Sequence, residues 1–394
     1  MTHRFQTSLG LGILLLLTAC GGGGGSSADP EPGPKEAGVC GESAGAINQE
    51  ALQTADCQYL SSYRLFADAS DPTTGANGGG LAFELNTPLF TDYASKYRFV
   101  FVPEGTHADY QPLEAFEFPV GTVISKTFAL PADTAFRGLA NETLIETRLL
   151  IHRPNGWVAL PYVWDAEGGD ATLQVAGASV PSTLVHNGQQ MSFDYQVPDK
   201  NQCKQCHQFS AGDTSRITPI GPKARNLNGP LDYGDGEVNQ LTYWQQQGVL
   251  SGLPTDLGTV AAVPTYRDGD EQGLAQQSDQ QLEALAKGYL DINCAHCHRP
   301  EGGASNTGLH LEYWRSLAAE PSKHGVCKRP VAYGGGSRSW DVVPGDAEQS
   351  ILHARMVSTE PGDRMPEIGR ALSHGEGVAL VAAWINRMTG DCQP

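Results

Sequence analysis

The sequence predicts a multidomain chain in which an N-terminal all-β, sandwich-like body is followed by mainly α-helical segments. A run of short segments rich in β-branched and aromatic residues, within residues 58–195, indicates the β body. Helix-start patterns after residue 270 indicate the helical part. The length of 394 residues also exceeds that of most single domains. We therefore expect a β-rich domain at 40–195 and two further segments at 196–270 and 271–394.

The N-terminal body is predicted to consist of strands joined by turns. Glycine, proline, asparagine and aspartate separate the strand-like segments, and Pro154-Asn155-Gly156 is typical of a hairpin turn. The body has no recognisable nucleophile triad, phosphate loop or paired-carboxylate pattern, so we expect it to cover a cofactor or dock a partner. The predicted strands are Arg98 to Val102, Phe116 to Leu130, Thr143 to His152, Trp157 to Trp164 and Ala171 to Val175.

The first 19 residues resemble a secretory signal peptide. The apolar stretch Leu9 to Leu17 follows a basic start and is too short to span a bilayer. Cys20 occupies the cleavage position, as in a bacterial lipobox, and residues 20–39 form a Gly/Pro-rich tether. We expect a lipidated Cys20 that anchors the chain on the periplasmic side of the cell envelope, at the outer membrane. The lipid is the expected membrane attachment.

The composition excludes some partners and favours others. The chain carries 26 basic and 44 acidic side chains, for a formal net charge of −18. Nucleic acids require a basic face, so a nucleic-acid partner is not expected. An acidic surface favours a protein partner with a basic docking face.

The nine cysteines divide into three groups. Cys20 belongs to the anchor, and four others form two CxxC pairs. The remaining four can pair in three ways, and we favour Cys40–Cys57 and Cys327–Cys392, because each pair closes within one segment. The alternative, in which some of them are buried free thiols, remains open.

Two CxxCH motifs carry the strongest chemical signal. They consist of Cys203, Cys206 and His207 and of Cys294, Cys297 and His298. Two thiols at this spacing add to the vinyl groups of one haem, and the adjoining histidine supplies a neutral imidazole to the iron. A four-cysteine zinc ribbon separates its pairs by about 15–20 residues, far fewer than lie between residues 206 and 294. We therefore expect two covalently attached c-type haems.

The second motif lies within a pattern of helices. Ser278 to Gln281 is a capping box that starts a helix leading to Cys294, and Ser373 to Glu376 is another. Met365-Pro366 lies between them and predicts Met365 as the sixth iron ligand. The first haem has no such clear partner. Its candidates are Met191, His186, His152 and His353, or an open position.

On these residues the chain resembles a family of exported di-haem c-type cytochromes, and its C-terminal part resembles a class I cytochrome c domain. The resemblance covers roughly residues 60–390 and implies haem binding and electron transfer, without a known substrate. Related haem segments fused to envelope sugar dehydrogenases suggest an electron-acceptor role. The resembling stretches are LSSYRLF, LNTPLFTDYASKYRFVFVPEG, FPVGTVISKTF, ETRLLIHRPNGWVALPYVW, YQVPDKNQCKQCH, PIGPKARNLN, NCAHCHRPEGG and RMPEIG.

The expected function is therefore electron transfer by a lipid-anchored envelope di-haem c-type cytochrome with a redox protein partner. We expect a carrier rather than an enzyme with its own substrate. Two alternatives stay open. One is a di-haem peroxidase-like enzyme with an open first haem, and the other is the electron-acceptor subunit of an envelope dehydrogenase.

Overall fold

A computed structural model describes residues 36–41, 46–165, 169–332 and 336–393. The expected signal peptide, Cys20 and most of the tether lie outside the described residues. Glu36–Pro394 form one compact unit. Within the described ranges, no helix has the length and apolar character needed to cross a membrane.

The strands and α-helices are numbered in chain order. The strands are β1 Leu81–Ala82, β2 Ser95–Phe101, β3 Ala108–Asp109, β4 Val123–Pro131, β5 Glu142–Arg153, β6 Gly156–Trp164, β7 Ala171–Leu173, β8 Ala178–His186, β9 Gln189–Val197, β10 Gln208–Ala211, β11 Thr214–Ile217, β12 Pro230–Asp232, β13 Glu237–Asn239 and β14 Leu250–Ser251. The helices are α1 Gln49–Thr54, α2 Lys200–His207, α3 Ala224–Leu227, α4 Gln240–Gln246, α5 Asp279–Asn293, α6 Ile351–Val357 and α7 Gly375–Arg387.

A six-stranded antiparallel sheet in the order β1-β2-β4-β5-β6-β7 is the centre of the fold. Successive side chains of a strand point to opposite faces. On β5, Leu149 and Ile151 face a core that also contains Leu52 and Tyr63. The β5 residues that alternate with these two point to the opposite face of the sheet. The candidate site lies on that opposite face.

Two further layers complete the unit. The hairpin β8-β9 packs on one end of the sheet through Leu184 and Tyr195, against Phe128. The N-terminal body is therefore one sheet with a hairpin on its face. Further along the chain, α5 and α7 contact each other around Leu282 and Leu380.

The prediction of mainly α-helical segments after residue 195 is wrong. Of the residues that the structure describes, 25% are helical and 26% are in strands. Two hairpins, β10-β11 and β12-β13, occupy much of the first segment. In the second, α5, α6 and α7 have 15, 7 and 13 residues and are separated by loops and short 3-10 turns. Capping patterns indicate where a helix starts, whereas its length depends on tertiary packing. The three helices give way to the C-cap residues Cys294, Ser358 and Met388.

Individual elements match the sequence more closely than the overall class does. Ser278 caps α5 in a capping box, as its spacing predicts. The predicted capping box at Ser373 is absent: α7 begins one residue later, after His374, and the Ser373 hydroxyl donates to the carbonyl of Met356 at 3.1 Å. The hairpin β8-β9 was missed, since polar side chains interrupt its strands.

Candidate functional site

The first CxxCH motif lies on α2. Asp199 starts this helix with a capping box, in which its side chain accepts hydrogen bonds from the backbone of Asn201 and Gln202. The ring of His207 donates from Nδ1 to the carbonyl of Thr218 at 2.8 Å, which leaves Nε2 free. Burial lowers the pKa of His207 to about 4. The imidazole is therefore neutral at neutral pH, as a metal ligand requires.

Cys203 and His207 line a cavity that opens to solvent. Its other walls are the sheet face opposite the core and the loop at residues 219–222. Leu85, Ile124 and Leu150 are among its apolar lining residues. This apolar lining is typical of a site for an organic cofactor.

A row of cationic side chains crosses the wall of this cavity. Arg98 on β2 is paired with Lys126 on β4, which is paired with Arg148 on β5. Directly paired residues point to the same face, and like charges in that arrangement repel. Burial and the neighbouring cations Arg98 and Arg148 hold the pKa of Lys126 well below its usual value.

Within the described part of the chain, Arg148 is the one cation of this row with a carboxylate partner. Arg148 binds Glu146 through two hydrogen bonds, at 2.8 and 2.5 Å. Among the described residues, Arg98 Nη2 is buried without a partner. Lys126 Nζ lies 4.6 Å from the centroid of the Phe128 ring. The wall therefore suits a bound molecule that carries carboxylates, such as the propionates of a haem.

The proximity of these three cations was not predicted from the sequence. Each cation interrupts an otherwise apolar or β-branched stretch, as in the segments YRFVF, ISKTF and TRLLI. A charge at the centre of a buried strand is the signal that points to such a residue. Only the strand register brings the three together.

The second CxxCH motif follows the end of α5. The ring Nδ1 of His298 lies 3.1 Å from Thr307 Oγ1, and burial lowers the pKa of His298 to about 4. Cys294 and Met365 line a second, narrower cavity, which His298 does not border. Burial raises the pKa of the Cys294 thiol to about 12. The structure thus places the predicted ligand Met365 beside the second motif.

The other methionines near this site have packing roles. Met356 is buried in the apolar cluster on α6 and also lines the second cavity, and Met388 packs against the same cluster. Met365 instead belongs to a loop, where its backbone N–H donates to the carbonyl of Arg355 at 2.8 Å. Its partly buried side chain remains directed to the second cavity.

The two motifs meet in space. Side-chain atoms of Cys206, His296 and Cys297 all lie within 4.8 Å of one another. Hydrogen bonds from Cys297 and then His296 to the Cys206 thiolate hold the pKa of Cys206 well below its usual value, although burial opposes this. The backbone N–H of Ser210 also donates to the carbonyl of Glu301 at 2.8 Å. The spacing of the CxxCH motifs in the sequence did not predict this contact, nor that His296 would take part in it.

The remaining cysteines form the two favoured disulfides. Cys40–Cys57 closes a loop beside the core of the sheet, and Cys327–Cys392 ties a loop to the C-terminal end. The four cysteines of the CxxCH motifs are free. The donor set therefore fits two covalent attachments, with four thiols and two neutral imidazoles. A zinc site at the CxxCH motifs is less well supported, because the described residues of the two motifs bring only three potential ligands together, Cys206, His296 and Cys297, whereas a structural zinc site uses four.

The four sixth-ligand candidates for the first motif lie elsewhere in the structure. His152 stacks on Trp157 with ring centroids 4.6 Å apart, and His186 Nε2 lies 3.0 Å from Glu376. Met191 is in β9, and His353 is buried on α6. None of the four lines the first cavity.

Comparison with protein-family models, curated proteins and solved structures found no match. The resemblance to di-haem cytochromes therefore rests on the quoted residues alone, and the functional argument rests on the geometry of the two motifs.

Proposed function

We propose that this chain is a di-haem c-type electron-transfer protein. Cys203, Cys206 and His207 would hold one haem, and Cys294, Cys297 and His298 the other, with Met365 as sixth ligand of the second. The observation that carries the proposal is the first cavity, where a CxxCH cysteine and its histidine face an apolar space. Haem supplies one-electron chemistry when bound.

The cationic row supports a haem rather than a metal ion at the first motif. Arg98 and Lys126 have no carboxylate within bonding distance in the described chain, and burying such charges unpaired is costly. The two carboxylates of a haem would neutralise them. A bare cation would add to the repulsion.

The contact between the motifs supports electron transfer as the activity. Groups attached through Cys206 and Cys297 would share one attachment region, because the two sulfur atoms lie within 4.8 Å of each other. Such a shared region favours electron exchange between two bound redox groups. With Cys20 lipidated, the chain would work at the envelope and meet a basic redox partner. Its net charge of −18 supports that partner choice.

The direct test is the mass and spectrum of the purified protein. We expect two covalent haem increments, two irons per chain, and a low-spin His/Met signature. Met365→Leu should abolish that signature, whereas Met388→Leu should retain it, because Met388 packs in the apolar core. A mature chain without either mass increment, or with zinc in place of iron, would overturn the proposal.

A second test separates the first haem from the second. Lys126→Met removes a positive charge, so it should lower the reduction potential of the first haem. A charge of this kind is worth about 1 kcal/mol, or about 40 mV for one electron. Lys204→Met is the matched control, because Lys204 is exposed on α2 beside the same motif. Equal shifts in both variants would contradict the assignment of the row.

One observation favours a second candidate, a di-haem peroxidase-like enzyme. Among the described residues, the lining of the first cavity contains no methionine and no histidine apart from His207. An open sixth position there would allow small ligands to bind. A high-spin component and binding of cyanide or carbon monoxide would favour this candidate, and their absence would favour the carrier.

A further inference from the structure

A cluster of histidines and carboxylates lies where three parts of the chain meet. His374 precedes α7, Glu376 lies in its first turn, Asp268 belongs to a loop, and His186 ends β8. His374, Glu376 and His186 are each buried, with 8%, 4% and 7% of their surface exposed. Asp268 closes the cluster on its solvent side. None of the four belongs to the CxxCH motifs.

Three potential ligand atoms converge in this cluster. His374 Nε2 lies 3.3 Å from Asp268 Oδ1 and 3.5 Å from Glu376 Oε2. Single atoms of these three residues all lie within 4.8 Å of one another. Ligands bound to a tetrahedral ion at about 2.0–2.1 Å are themselves about 3.3 Å apart. The two distances from His374 Nε2 match that spacing, and the third, between the two carboxylates, lies within 4.8 Å.

Hydrogen bonding accounts for this arrangement less well. His374 Nε2 carries at most one proton, yet it faces two carboxylates at 3.3 and 3.5 Å. Both distances exceed the usual 2.7–3.2 Å of an N–H···O hydrogen bond. Two carboxylates with one shared proton between them also repel. A divalent cation would balance both charges.

Each of the three ligand residues is held by a neighbour. The Nδ1 atom of His374 lies 2.9 Å from Tyr289 Oη, which leaves Nε2 for the cluster. Arg137 donates to the outer oxygen of Asp268 at 2.9 Å. Such outer partners are typical of metal ligands, because they fix ring tautomers and carboxylate orientation.

Glu376 is held from two sides. Tyr93 donates to Glu376 Oε2 at 3.0 Å, and His186 Nε2 lies 3.0 Å from Oε1. The ring of His186 is itself stacked on Tyr93, with centroids 4.0 Å apart. The buried carboxylate is therefore preorganised before any ion binds.

We propose that Asp268, His374 and Glu376 bind one divalent transition-metal cation, with His186, Tyr93, Tyr289 and Arg137 as orienting residues. Mixed imidazole and carboxylate ligands in a tetrahedral spacing suit Zn²⁺ best. The ion would link the loop that carries Asp268 to α7. Because His186 contacts Glu376, the hairpin β8-β9 would be connected to the same site. This site goes beyond the proposed electron transfer and does not depend on it.

The test is zinc binding by the full mature chain after dialysis against a chelator. Calorimetry with zinc alone should show one ion per chain, and zinc should raise the melting temperature. Glu376→Gln and Asp268→Asn should each weaken binding by at least about 10–100-fold, the loss that removal of an outer partner alone causes. His107→Asn is the matched control, because His107 lies 3.6 Å from Asp109 in an exposed pair without a third ligand.

Each result decides the proposal. Loss of binding in both variants and its retention in the control support it. Absence of stoichiometric zinc binding to the wild type, or undiminished binding to folded Asp268→Asn, overturns it. Asp268 is partly exposed, so its substitution leaves the packed core intact even if Glu376→Gln fails to fold. Haem content is measured separately as iron, so failure of this site and failure of the haem proposal are distinguishable.

Discussion

The buried ion pair of Arg225 and Asp291 connects the two motif regions, and Asp291→Asn tests its contribution. Asp291 lies on α5, shortly before Cys294, and Arg225 lies on α3 after the first motif. Arg225 donates to the two carboxylate oxygens at 3.0 and 2.8 Å. The side chains are 2% and 0% exposed. The backbone N–H of Tyr313 donates to the same carboxylate at 2.9 Å.

The asparagine variant keeps the shape but removes the negative charge. Arg225 and the nearby buried Lys223 would then lie in the interior without compensation. Breaking a buried pair in this way costs about 3–5 kcal/mol of unfolding free energy. Asp279→Asn, on the same helix, is the matched control. The side chain of Asp279, which pairs with Arg387, is 82% exposed. Loss of this ion pair should therefore cost at most about 1 kcal/mol of unfolding free energy.

The pH dependence of the unfolding free energy gives a second measure of the contribution of this ion pair to stability. Burial alone would raise the pKa of Asp291, but Arg225 and Lys223 outweigh it and lower the pKa to about 2. Because the folded-state pKa lies below the unfolded value of about 3.9, the stabilisation is complete above pH 4 and is lost as pH falls towards 2. This linkage is worth about 2 kcal/mol.

Urea unfolding followed by tryptophan fluorescence measures both quantities. We expect the free energy of unfolding of Asp291→Asn to lie well below that of the wild type at pH 7, and this difference should narrow below pH 4. Replacing both partners by apolar residues should recover much of the loss, because no charge is then left unpaired. A stability of Asp291→Asn within 1 kcal/mol of the wild type, or equal losses in Asp279→Asn, would refute the reasoning.

Two further predictions concern stability. Removal of Cys327–Cys392 by double alanine substitution should cost about 4 kcal/mol, against about 3 kcal/mol for Cys40–Cys57, since a longer loop is released; the separations are 65 and 17 residues. Equal melting temperatures of the two double variants would contradict this order. Gly377→Ala should destabilise α7 by about 1–3 kcal/mol, because its Cβ would overlap the ring of Tyr289. Gly375→Ala is its control, since the nearest atom there is Tyr93 Oη at 3.7 Å; similar thermal melts of the two alanine variants would argue against the overlap.

Local sequence patterns were sufficient to predict several features of this protein. The CxxCH motifs, Met365-Pro366 and the capping box at Ser278 are each defined within a few neighbouring residues. Strand-like composition located most of the central sheet, because β-branched and aromatic residues favour strands. The two disulfides followed from short closure along the chain. These features depend on covalent geometry and local propensity, which the sequence carries directly.

The tertiary structure decided what lies together. The cationic row depends on the register of three strands, and the contact of Cys206 with Cys297 joins distant segments. The cluster of Asp268, His374 and Glu376 likewise combines a loop with a helix start. The helical content was overestimated because helix length depends on the tertiary packing of an apolar face, which a local capping pattern does not specify. Long-range contacts arise from the packing of the whole chain, so no local pattern specifies them.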